Sequence, residues 1–268
     1  MAGFAFCAPH LYTAIIMING KKVVVVMPAY NTARTLEKTV AALPRGAADG
    51  IIVVDDGSRD ETAAIAARLP VVLLKHPKNR GYGGAQKTGY RAALDAGADV
   101  IVMVHSDFQY DPALMPNIAR PVAEGKADVC FGSRMAVAGD ARRGGMPWWR
   151  YVPNRALTIL EEAVLGLGIS EYHSGYRAFA RGALERIPFE KNSENYVFDT
   201  EMLAALSMGG FRAAEIPIPT RYVEDSQSPN FRKSVEYGLM TLATLVRYML
   251  HRRGVRSYPR FIITKNPV

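Results

Sequence analysis

Residues 23–31 have the sequence VVVVMPAYN, in which five apolar side chains are followed at once by Pro28, Ala29, Tyr30 and Asn31. A short β-branched run of this kind is typical of a buried strand, and the polar residues after it mark the carboxyl end of that strand. Similar apolar runs occur at residues 51–54, 71–74, 100–104 and 128–132. Each run predicts one strand of a central sheet.

Alanine-rich segments with helical spacing separate these runs, at residues 35–43, 60–69, 85–96 and 112–124. The last of them opens with Asp111 as a helix cap and Pro112 in the first helical position. Alternating strands and helices predict right-handed βαβ units. We therefore expect an α/β fold with a Rossmann-like, mostly parallel sheet flanked by helices, and a ligand beyond the carboxyl ends of its strands.

The second half of the chain is less regular. Residues 139–153 mix Gly, Arg, Pro and Trp without periodicity, which predicts a mobile loop that closes over a site. The segments that follow predict a helix at 154–167, a strand at 176–180, a helix at 198–208 and a strand at 212–218. Pro217 and Pro219 place the end of the last strand at a sheet edge.

A long amphipathic helix is predicted over residues 231–252. Its apolar face contains Leu239, Leu242, Ala243, Val246 and Leu250. We divide the chain into a poorly ordered leader at 1–20, a catalytic domain at 21–225 and a basic amphipathic helix and tail at 226–268.

Charge is concentrated in that last segment. The 268-residue chain has 33 basic and 25 acidic residues, a formal net charge of +8, and residues 226–268 contain eight of the basic residues with Glu236 as the one acidic residue. The 49% apolar composition excludes a disordered, collagen-like or disulfide-scaffold protein. A basic amphipathic end favours an anionic membrane surface over nucleic acid as partner, with simple solvation as the alternative.

No run of residues has the roughly 18 to 20 uncharged apolar positions that a membrane-spanning helix needs. Cys7 and Cys130 lie far apart in apolar surroundings, which suits thiols of a reducing compartment. We expect a cytoplasmic protein that is peripheral on the inner face of the membrane.

Two acidic residues follow the second predicted strand. Asp55 and Asp56 precede Gly57 and Ser58, at the edge where ligands bind. Their carboxylates can accept hydrogen bonds from ribose hydroxyls or from a base N–H, and Gly57 permits the close turn. A turn with a helix cap is the alternative for this motif.

A glycine-rich segment, residues 79–85 (NRGYGGA), follows the third strand. Free backbone N–H groups near Asn79, Gly81 and Gly84 would suit a phosphate or ribose oxygen. The spacing matches neither the dinucleotide fingerprint nor a Walker loop, so a tight connection is the alternative.

The fourth strand leads into His105, Ser106, Asp107, Phe108 and Gln109. The motif order PAYN, DDGS, NRGYGGA, this acidic motif, then GSR at 132–134 resembles the family-2 glycosyltransferases. Within that family, the chain is similar to the polyprenyl-phosphate (dolichyl-phosphate) mannose and glucose synthases. The likeness extends through residues 173–179 and 217–222 to about residue 240.

This resemblance implies a GT-A fold and an inverting transfer of a hexose from a UDP- or GDP-linked donor. Residues 28–31, 55–57 and Ser106 would bind the donor. Asp107 and Gln109 would bind Mg²⁺ or Mn²⁺ and the diphosphate, since hard oxygen ligands suit these cations. His105 stands where the family has its first aspartate, and two roles are open for it: a metal ligand, or a strand-end histidine bonded to a neighbour.

The resemblance also implies an acceptor site. Arg134 matches a position that binds the acceptor phosphate, and Arg150 and Arg177 are further candidates, since guanidinium groups favour phosphate. His173 would position or contact the acceptor. Asp199 is a candidate base alongside Glu201, although both can instead orient neighbouring side chains.

Three other functions stay open on the sequence. A lipid or saccharide hydroxyl could replace polyprenyl phosphate as the acceptor. An NAD-dependent oxidoreductase is a more distant alternative, since the glycine fingerprint after the first strand is missing. The substitution at His105 also allows a nucleotide-binding module without activity. The oligomeric state is open, with a homo-oligomer as one option.

Overall fold

A computed structural model describes residues 18–137, 139–219 and 231–264 of the chain. The strands are β1 (Val23–Ala29), β2 (Gly50–Asp55), β3 (Val72–Lys75), β4 (Val100–Met103), β5 (Val129–Ser133), β6 (Arg177–Ala180) and β7 (Ala213–Pro217). The helices are α1 (Leu36–Ala41), α2 (Thr62–Ala66), α3 (Tyr82–Asp95), α4 (Met115–Ala123), α5 (Asp140–Arg143), α6 (Trp148–Leu165), α7 (Arg181–Arg186), α8 (Phe198–Met208) and α9 (Phe231–Arg252). Three 3-10 turns are at Pro112–Leu114, Phe189–Lys191 and Pro259–Phe261.

The described strands form one sheet in the order β3-β2-β1-β4-β6-β5-β7. Every neighbouring pair is parallel except the two that involve β6, which runs antiparallel to β4 and to β5. The expected α/β class is confirmed, and β7 lies at an edge as Pro217 predicts. Because β2, β1 and β4 are adjacent and parallel, the segments after them meet at one edge of the sheet.

Helices cover both faces of the sheet and bury two apolar clusters. One cluster joins α3 and α8 to alternate residues of the strands, among them Val24 and Val26, and the other includes Val23 and Val25 with α1 and α4. This alternation follows from the two-residue period of a strand. Leu245, Tyr248 and Phe261 belong to the first cluster, so α9 and the 3-10 turn after it pack into the same core as the sheet.

The predicted loop at 139–153 is largely wrong. Residues 140–143 form α5, and α6 begins at Trp148 rather than at residue 154. Pro147 precedes α6 with an extended backbone, where proline is tolerated, and Pro153 lies inside the helix, which continues without one backbone hydrogen bond. Trp148, Trp149 and Arg150 are therefore helical residues.

Other predicted boundaries moved by a few residues. Helix α3 begins at Tyr82, so part of the glycine-rich segment is helical, and the helix predicted at 112–124 is a 3-10 turn followed by α4. The Asp111 cap is confirmed, since its carboxylate accepts the Ala113 N–H at 3.0 Å. The predicted bounds of α9 agree with the structure. Most of the leader, residues 1–17, lies outside the described residues, as do 220–230 and 265–268.

None of the helices in the described part of the chain combines the length and the apolar composition that crossing a bilayer requires. The division into leader, catalytic domain and C-terminal segment stays a prediction.

The close approach of α3 to β1 predicts the effect of a small substitution. A Cβ at Gly89 would overlap Cγ1 of Val26, a stiff side chain in a fully buried strand, so Gly89→Ala should lower the free energy of unfolding by about 1 to 3 kcal/mol. Urea unfolding measures this change.

Gly182→Ala is the matched control, because Gly182 lies in α7 with open space around its Cα. That change should stabilise the protein by about 0.5 to 1 kcal/mol. A Gly89→Ala protein as stable as the Gly182→Ala protein would contradict the described packing of α3.

Candidate active site

The segments that follow β1, β2 and β4 are joined by hydrogen bonds at the carboxyl edge of the sheet. The Asn31 N–H donates to Oγ of Ser58 at 2.9 Å, and the Asn31 side chain accepts the Arg59 N–H at 2.9 Å. Ser106 donates its hydroxyl to the Pro28 carbonyl at 2.7 Å. Residues from three separate motifs, all predicted to bind the nucleotide-sugar donor, thus lie together at this edge.

The two adjacent aspartates are both buried, but they have different hydrogen-bond partners. The Asp56 carboxylate is buried and accepts the N–H groups of Arg80 and Gly81, both at 2.8 Å, and it contacts Nδ1 of His76 at 2.6 Å. Asp55 accepts the Ser58 N–H at 3.2 Å. Asp56 therefore organises the loop before α3, while Asp55 is the better candidate of the two for contact with a ligand.

The expectation of free N–H groups in the glycine-rich segment is wrong for Gly81 and Gly84. The Gly81 N–H donates to Asp56, and the N–H groups of Gly83 and Gly84 donate to the Glu194 carbonyl at 2.8 and 3.2 Å. A Cβ at Gly81 would lie 2.5 Å from that carbonyl oxygen, so glycine is needed for the close approach. Donor binding by Asn79, Gly81 and Gly84 stays a prediction.

Gly57 is required by the same loop. Its φ of +70° lies in the left-handed region, and a Cβ there would lie 2.7 Å from the Asn79 backbone nitrogen. The Asn79 side chain in turn donates to the Asp56 carbonyl at 3.1 Å. The turn after β2 and the loop before α3 are therefore in direct contact.

Asp107 and Gln109 lie half-buried after β4, where Asp107 accepts the Gln109 N–H at 3.0 Å. This bond closes a tight turn, with Phe108 between them at a φ of 61°. No group of three or more His, Cys, Asp or Glu side chains among the described residues is arranged to hold a metal ion. The protein itself thus offers one carboxylate and one amide oxygen here.

The ring of His105 lies between two aromatic rings. Its ring stacks on Tyr82 with centroids 5.7 Å apart, lies 5.2 Å from the Tyr110 ring, and its Nε2 is 3.4 Å from the Tyr82 hydroxyl. Burial lowers the pKa of His105, although the nearby charges of Asp107 and Asp199 act in the opposite direction. The contact with Tyr82 favours the reading of a histidine bonded to a neighbour.

Asp199 and Arg177 form the centre of a buried network. Asp199 Oδ1 lies 3.1 Å from both Nη1 of Arg177 and Nε2 of Gln86, and Oδ2 accepts the Tyr82 hydroxyl at 3.2 Å. Arg177 is 1% exposed and also donates to the Ser174 carbonyl at 2.8 Å. Acceptor binding by Arg177 stays a prediction that this burial does not favour.

The other predicted base, Glu201, is also fully buried. Its oxygens accept the backbone N–H of Ser193 at 2.6 Å and the Ser193 hydroxyl at 2.9 Å, and Oε1 pairs with Arg260. Glu201 thus anchors the 3-10 turn Pro259–Phe261 to α8, which agrees with the alternative role of orienting its neighbours.

Arg134 is buried against a carboxylate that the sequence analysis did not identify. Its Nε donates to Oε1 of Glu171 at 2.8 Å, its Nη2 contacts the same oxygen, and its backbone N–H donates to Oε2 at 2.7 Å. Burial alone would raise the pKa of Glu171, but the Arg134 charge and hydrogen bonds outweigh burial and lower it. The predicted phosphate-binding guanidinium is therefore already paired with an anion.

Each ring nitrogen of His173 lies near a polar side chain. Its Nδ1 lies 3.0 Å from the Tyr237 hydroxyl and its Nε2 lies 3.1 Å from Oε2 of Glu161. Arg150 is in the first turn of α6, with its guanidinium 4.7 Å from the Trp149 ring centre. The catalytic and acceptor roles predicted for His173, Arg134 and Arg150 stay predictions.

The comparisons with known proteins assign the chain to a family. The sequence model of glycosyl transferase family 2 matches residues 24–188, more than half of the chain. The chain belongs to glycosyl transferase family 2. Its seven described strands and their flanking helices form the GT-A fold of this family.

Two curated relatives of this family-2 chain have names that refer to lipid phosphates. The UDP-N-acetylglucosamine–dolichyl-phosphate N-acetylglucosaminyltransferase of Methanococcus voltae is 28% identical over 225 residues, covering 78% of this chain and 89% of that protein. The polyprenol monophosphomannose synthase of Mycolicibacterium smegmatis is 30% identical over 206 residues, covering 74% and 77%.

The fold is also similar to a solved structure, glucosyl-3-phosphoglycerate synthase from Mycobacterium tuberculosis in complex with UDP. The TM-score is 0.67 at 19% identity, over 97% of this chain and 94% of that one. The same synthase has been crystallised with UDP and Mn²⁺ or Mg²⁺, and with phosphoglyceric acid.

The contact between His105 and Gly175 leads to a coupling prediction. A Cβ at residue 175 would overlap Nε2 of His105, so Gly175→Ala should destabilise the protein by about 1 to 3 kcal/mol. In a His105→Ala background the ring is absent and most of this cost should disappear. Urea unfolding of the four proteins of this double-mutant cycle measures the coupling. Additive effects would contradict the described position of the His105 ring.

Proposed function

We propose that this family-2 enzyme is an inverting, metal-dependent glycosyltransferase that moves a hexose from a UDP- or GDP-linked donor to polyprenyl phosphate. The observation that carries the proposal is the position of Asp55 and Asp107 at the ends of β2 and β4, on either side of the end of β1. Base and ribose would lie against residues 28–31 and Asp55. The diphosphate would extend toward Asp107 and Gln109.

The residues at the end of β4 fit a divalent cation that is bound together with its nucleotide. Mg²⁺ is usually held by one or two carboxylates plus substrate phosphates and water, and Asp107 with the Gln109 amide supplies the protein's share of such a set. The cation would neutralise the charge that grows on the departing diphosphate. Asp107 would hold the cation, while the Asn31–Ser58 contact keeps the donor pocket in shape.

The network around Asp199 supports a phosphate acceptor. A hydroxyl acceptor needs a base to take its proton, whereas a phosphate oxygen is already anionic and needs only positioning. The Asp199 carboxylate already pairs with Arg177 and accepts hydrogen bonds from Gln86 and Tyr82. The acceptor oxygen would bond to the anomeric carbon as the bond from that carbon to the diphosphate breaks, so the nucleoside diphosphate leaves and the configuration inverts.

A soluble phosphorylated acceptor is the second candidate. The similarity in fold to a synthase that was crystallised with phosphoglyceric acid favours keeping it. Both acceptors carry a phosphate. The Arg134 guanidinium, which donates to Glu171, could also donate to that phosphate.

Loss of the Asp107 carboxylate tests this proposal. Asp107→Asn should reduce Mn²⁺-dependent transfer from the preferred nucleotide sugar to undecaprenyl phosphate by at least roughly 100-fold, because direct metal ligands matter more than their hydrogen-bond partners. Formation of the mild-acid-labile lipid product measures transfer.

Asp111→Asn is the matched control, since asparagine also caps the 3-10 turn that follows Asp111. Its activity should equal that of the unchanged protein. An Asp107→Asn enzyme that keeps its Mn²⁺-dependent rate would refute the proposed metal site, and a panel of nucleotide sugars that gives no lipid product would refute the acceptor.

The attachment to an anionic membrane would use an exposed apolar face formed by α6 and α9 together. The two helices are in contact, with Leu157 next to Gly238, and Ala163 and Val164 share a cavity with Tyr248 and Met249. On the side away from the core, the exposed apolar residues are Trp148, Trp149, Val152, Ile159 and Leu160 of α6 and Val235, Leu239, Leu242 and Val246 of α9. Many exposed apolar side chains on two contacting helices mark an interaction site.

Charge around this two-helix face favours a lipid surface. The exposed Arg155, Arg247, Arg252 and Arg253 lie on the same two helices or directly after them. Arginines beside an apolar helix face attract anionic lipid headgroups while Trp and Leu side chains enter the interface. The enzyme would thereby be peripheral on the inner, cytoplasmic face, next to its lipid substrate.

Charged substitutions on the two-helix face should weaken lipid binding. Ile159→Glu combined with Leu239→Glu removes two side chains that are 61% and 63% exposed, so co-sedimentation with phosphatidylglycerol vesicles should fall by about 10-fold or more. Val72→Glu, an exposed apolar residue on β3, is the control and should bind like the unchanged protein.

Equal binding by the double variant and the Val72→Glu control would contradict membrane attachment through α6 and α9. A change in oligomeric mass without a change in lipid binding would instead assign the face to a second copy of the chain.

A further inference from the structure

A polar cluster lies between α6, α9 and the segment 171–174. It consists of Glu161, His173, Tyr237, Thr200 and Thr241. From the Tyr237 hydroxyl, contacts continue to Oγ1 of Thr200 at 3.3 Å and from there to Oγ1 of Thr241 at 3.4 Å. Burial and then the charge of Glu161 raise the pKa of Tyr237, so its hydroxyl stays protonated.

Glu161 is the unusual member of this cluster. Its side chain is fully buried, and within the described residues neither carboxylate oxygen receives a well-aligned hydrogen bond. Nε2 of His173 lies 3.1 Å from Oε2, within ion-pair distance. A buried carboxylate without a partner is strongly destabilising, so Glu161 depends on the neighbouring imidazole of His173.

The cluster is joined to the predicted acceptor site through a short stretch of chain. The His173 carbonyl lies 3.5 Å from Nη2 of Arg134, and the Arg134 side chain is held by Glu171 two residues earlier. Asn154, two turns before Glu161 on α6, donates to the Glu171 carboxylate at 3.4 Å. One face of α6 thus contacts the segment 171–173 at two points.

An apolar residue of similar size would fill the position of Glu161 at no cost of charge burial, since replacing a buried ion pair by apolar side chains is often neutral or stabilising. A carboxylate at this position does what an apolar side chain cannot: it orients the imidazole, with Tyr237 on the other ring nitrogen. Both contacts fix the ring and therefore the backbone that carries it.

We propose that Glu161 is a positioning residue for the acceptor side: through His173 it holds the segment 171–173, and with it the Glu171–Arg134 pair that would face the incoming phosphate. The link to the acceptor rests on the proposed function. The positioning of the segment 171–173 by Glu161 does not depend on it.

Two substitutions separate the charge of Glu161 from its hydrogen-bonding shape. Glu161→Leu removes both, while Glu161→Gln keeps an oxygen that can accept from the imidazole. Glu236→Gln, an exposed carboxylate one residue before Tyr237, is the control. Each protein is measured by amide hydrogen exchange over residues 170–177 and by KM and kcat for undecaprenyl phosphate and for the nucleotide sugar.

Glu161→Leu should speed exchange at residues 171–174 and raise the KM of the lipid phosphate about 10-fold, with the KM of the nucleotide sugar unchanged. Glu161→Gln should lie between this variant and the unchanged protein, and Glu236→Gln should match the unchanged protein. A selective rise in one KM together with rescue by glutamine distinguishes positioning from a general loss of stability.

The two proposals can fail separately. If the unchanged enzyme does not glycosylate the lipid phosphate, the proposed function fails, and the exchange data alone decide the role of Glu161. If exchange over 171–174 is unchanged in Glu161→Leu, or if both KM values change together, the positioning role of Glu161 is refuted.

Discussion

The buried ion pair between Arg177 and Asp199 links the two halves of the site. Arg177 is on β6, the strand that runs antiparallel between β4 and β5, and it bonds to the Ser174 carbonyl on the acceptor side. Asp199 is on α8 and accepts from Tyr82 and Gln86 on α3, next to the predicted donor side. Removing either charge would leave the other buried and unpaired, which is strongly destabilising. The geometry of both sides therefore depends on this pair.

The same pair limits the chemistry. A carboxylate that already has an ion pair and two hydrogen bonds is a poor general base, so a reaction at this site is better served by an acceptor that arrives as an anion. On the predicted donor side, the Asp56 carboxylate is likewise occupied by contacts within the fold, to Arg80, Gly81 and His76. Asp55 and Asp107 are therefore the acidic residues that we propose for the nucleotide, whereas Asp56 and Asp199 hold the site in shape.

Much of the fold follows from periodicity, because β-branched runs such as 23–27 and the amphipathic spacing of 231–252 depend on local sequence alone. Pro147 and Pro153 contributed to the wrong prediction of a loop at 139–153. Tertiary packing keeps α6 helical across Pro153. The partners of the site residues were not predictable: Glu171 is 37 residues from Arg134, and Tyr237 is 64 residues from His173. One available signal was the i, i+4 spacing of Tyr82 and Gln86, which places both on one face of α3.

Helix α6 connects these features, since its exposed face is apolar while its buried face holds Asn154 and Glu161 against the acceptor side. We propose that Asp199 is held by the fold and that the acceptor supplies its own negative charge. The most direct measurement compares farnesyl phosphate with farnesol, two acceptors of the same chain, in the presence of Mn²⁺ and the preferred nucleotide sugar. We expect transfer to farnesyl phosphate and none to farnesol. Comparable transfer to farnesol would contradict it.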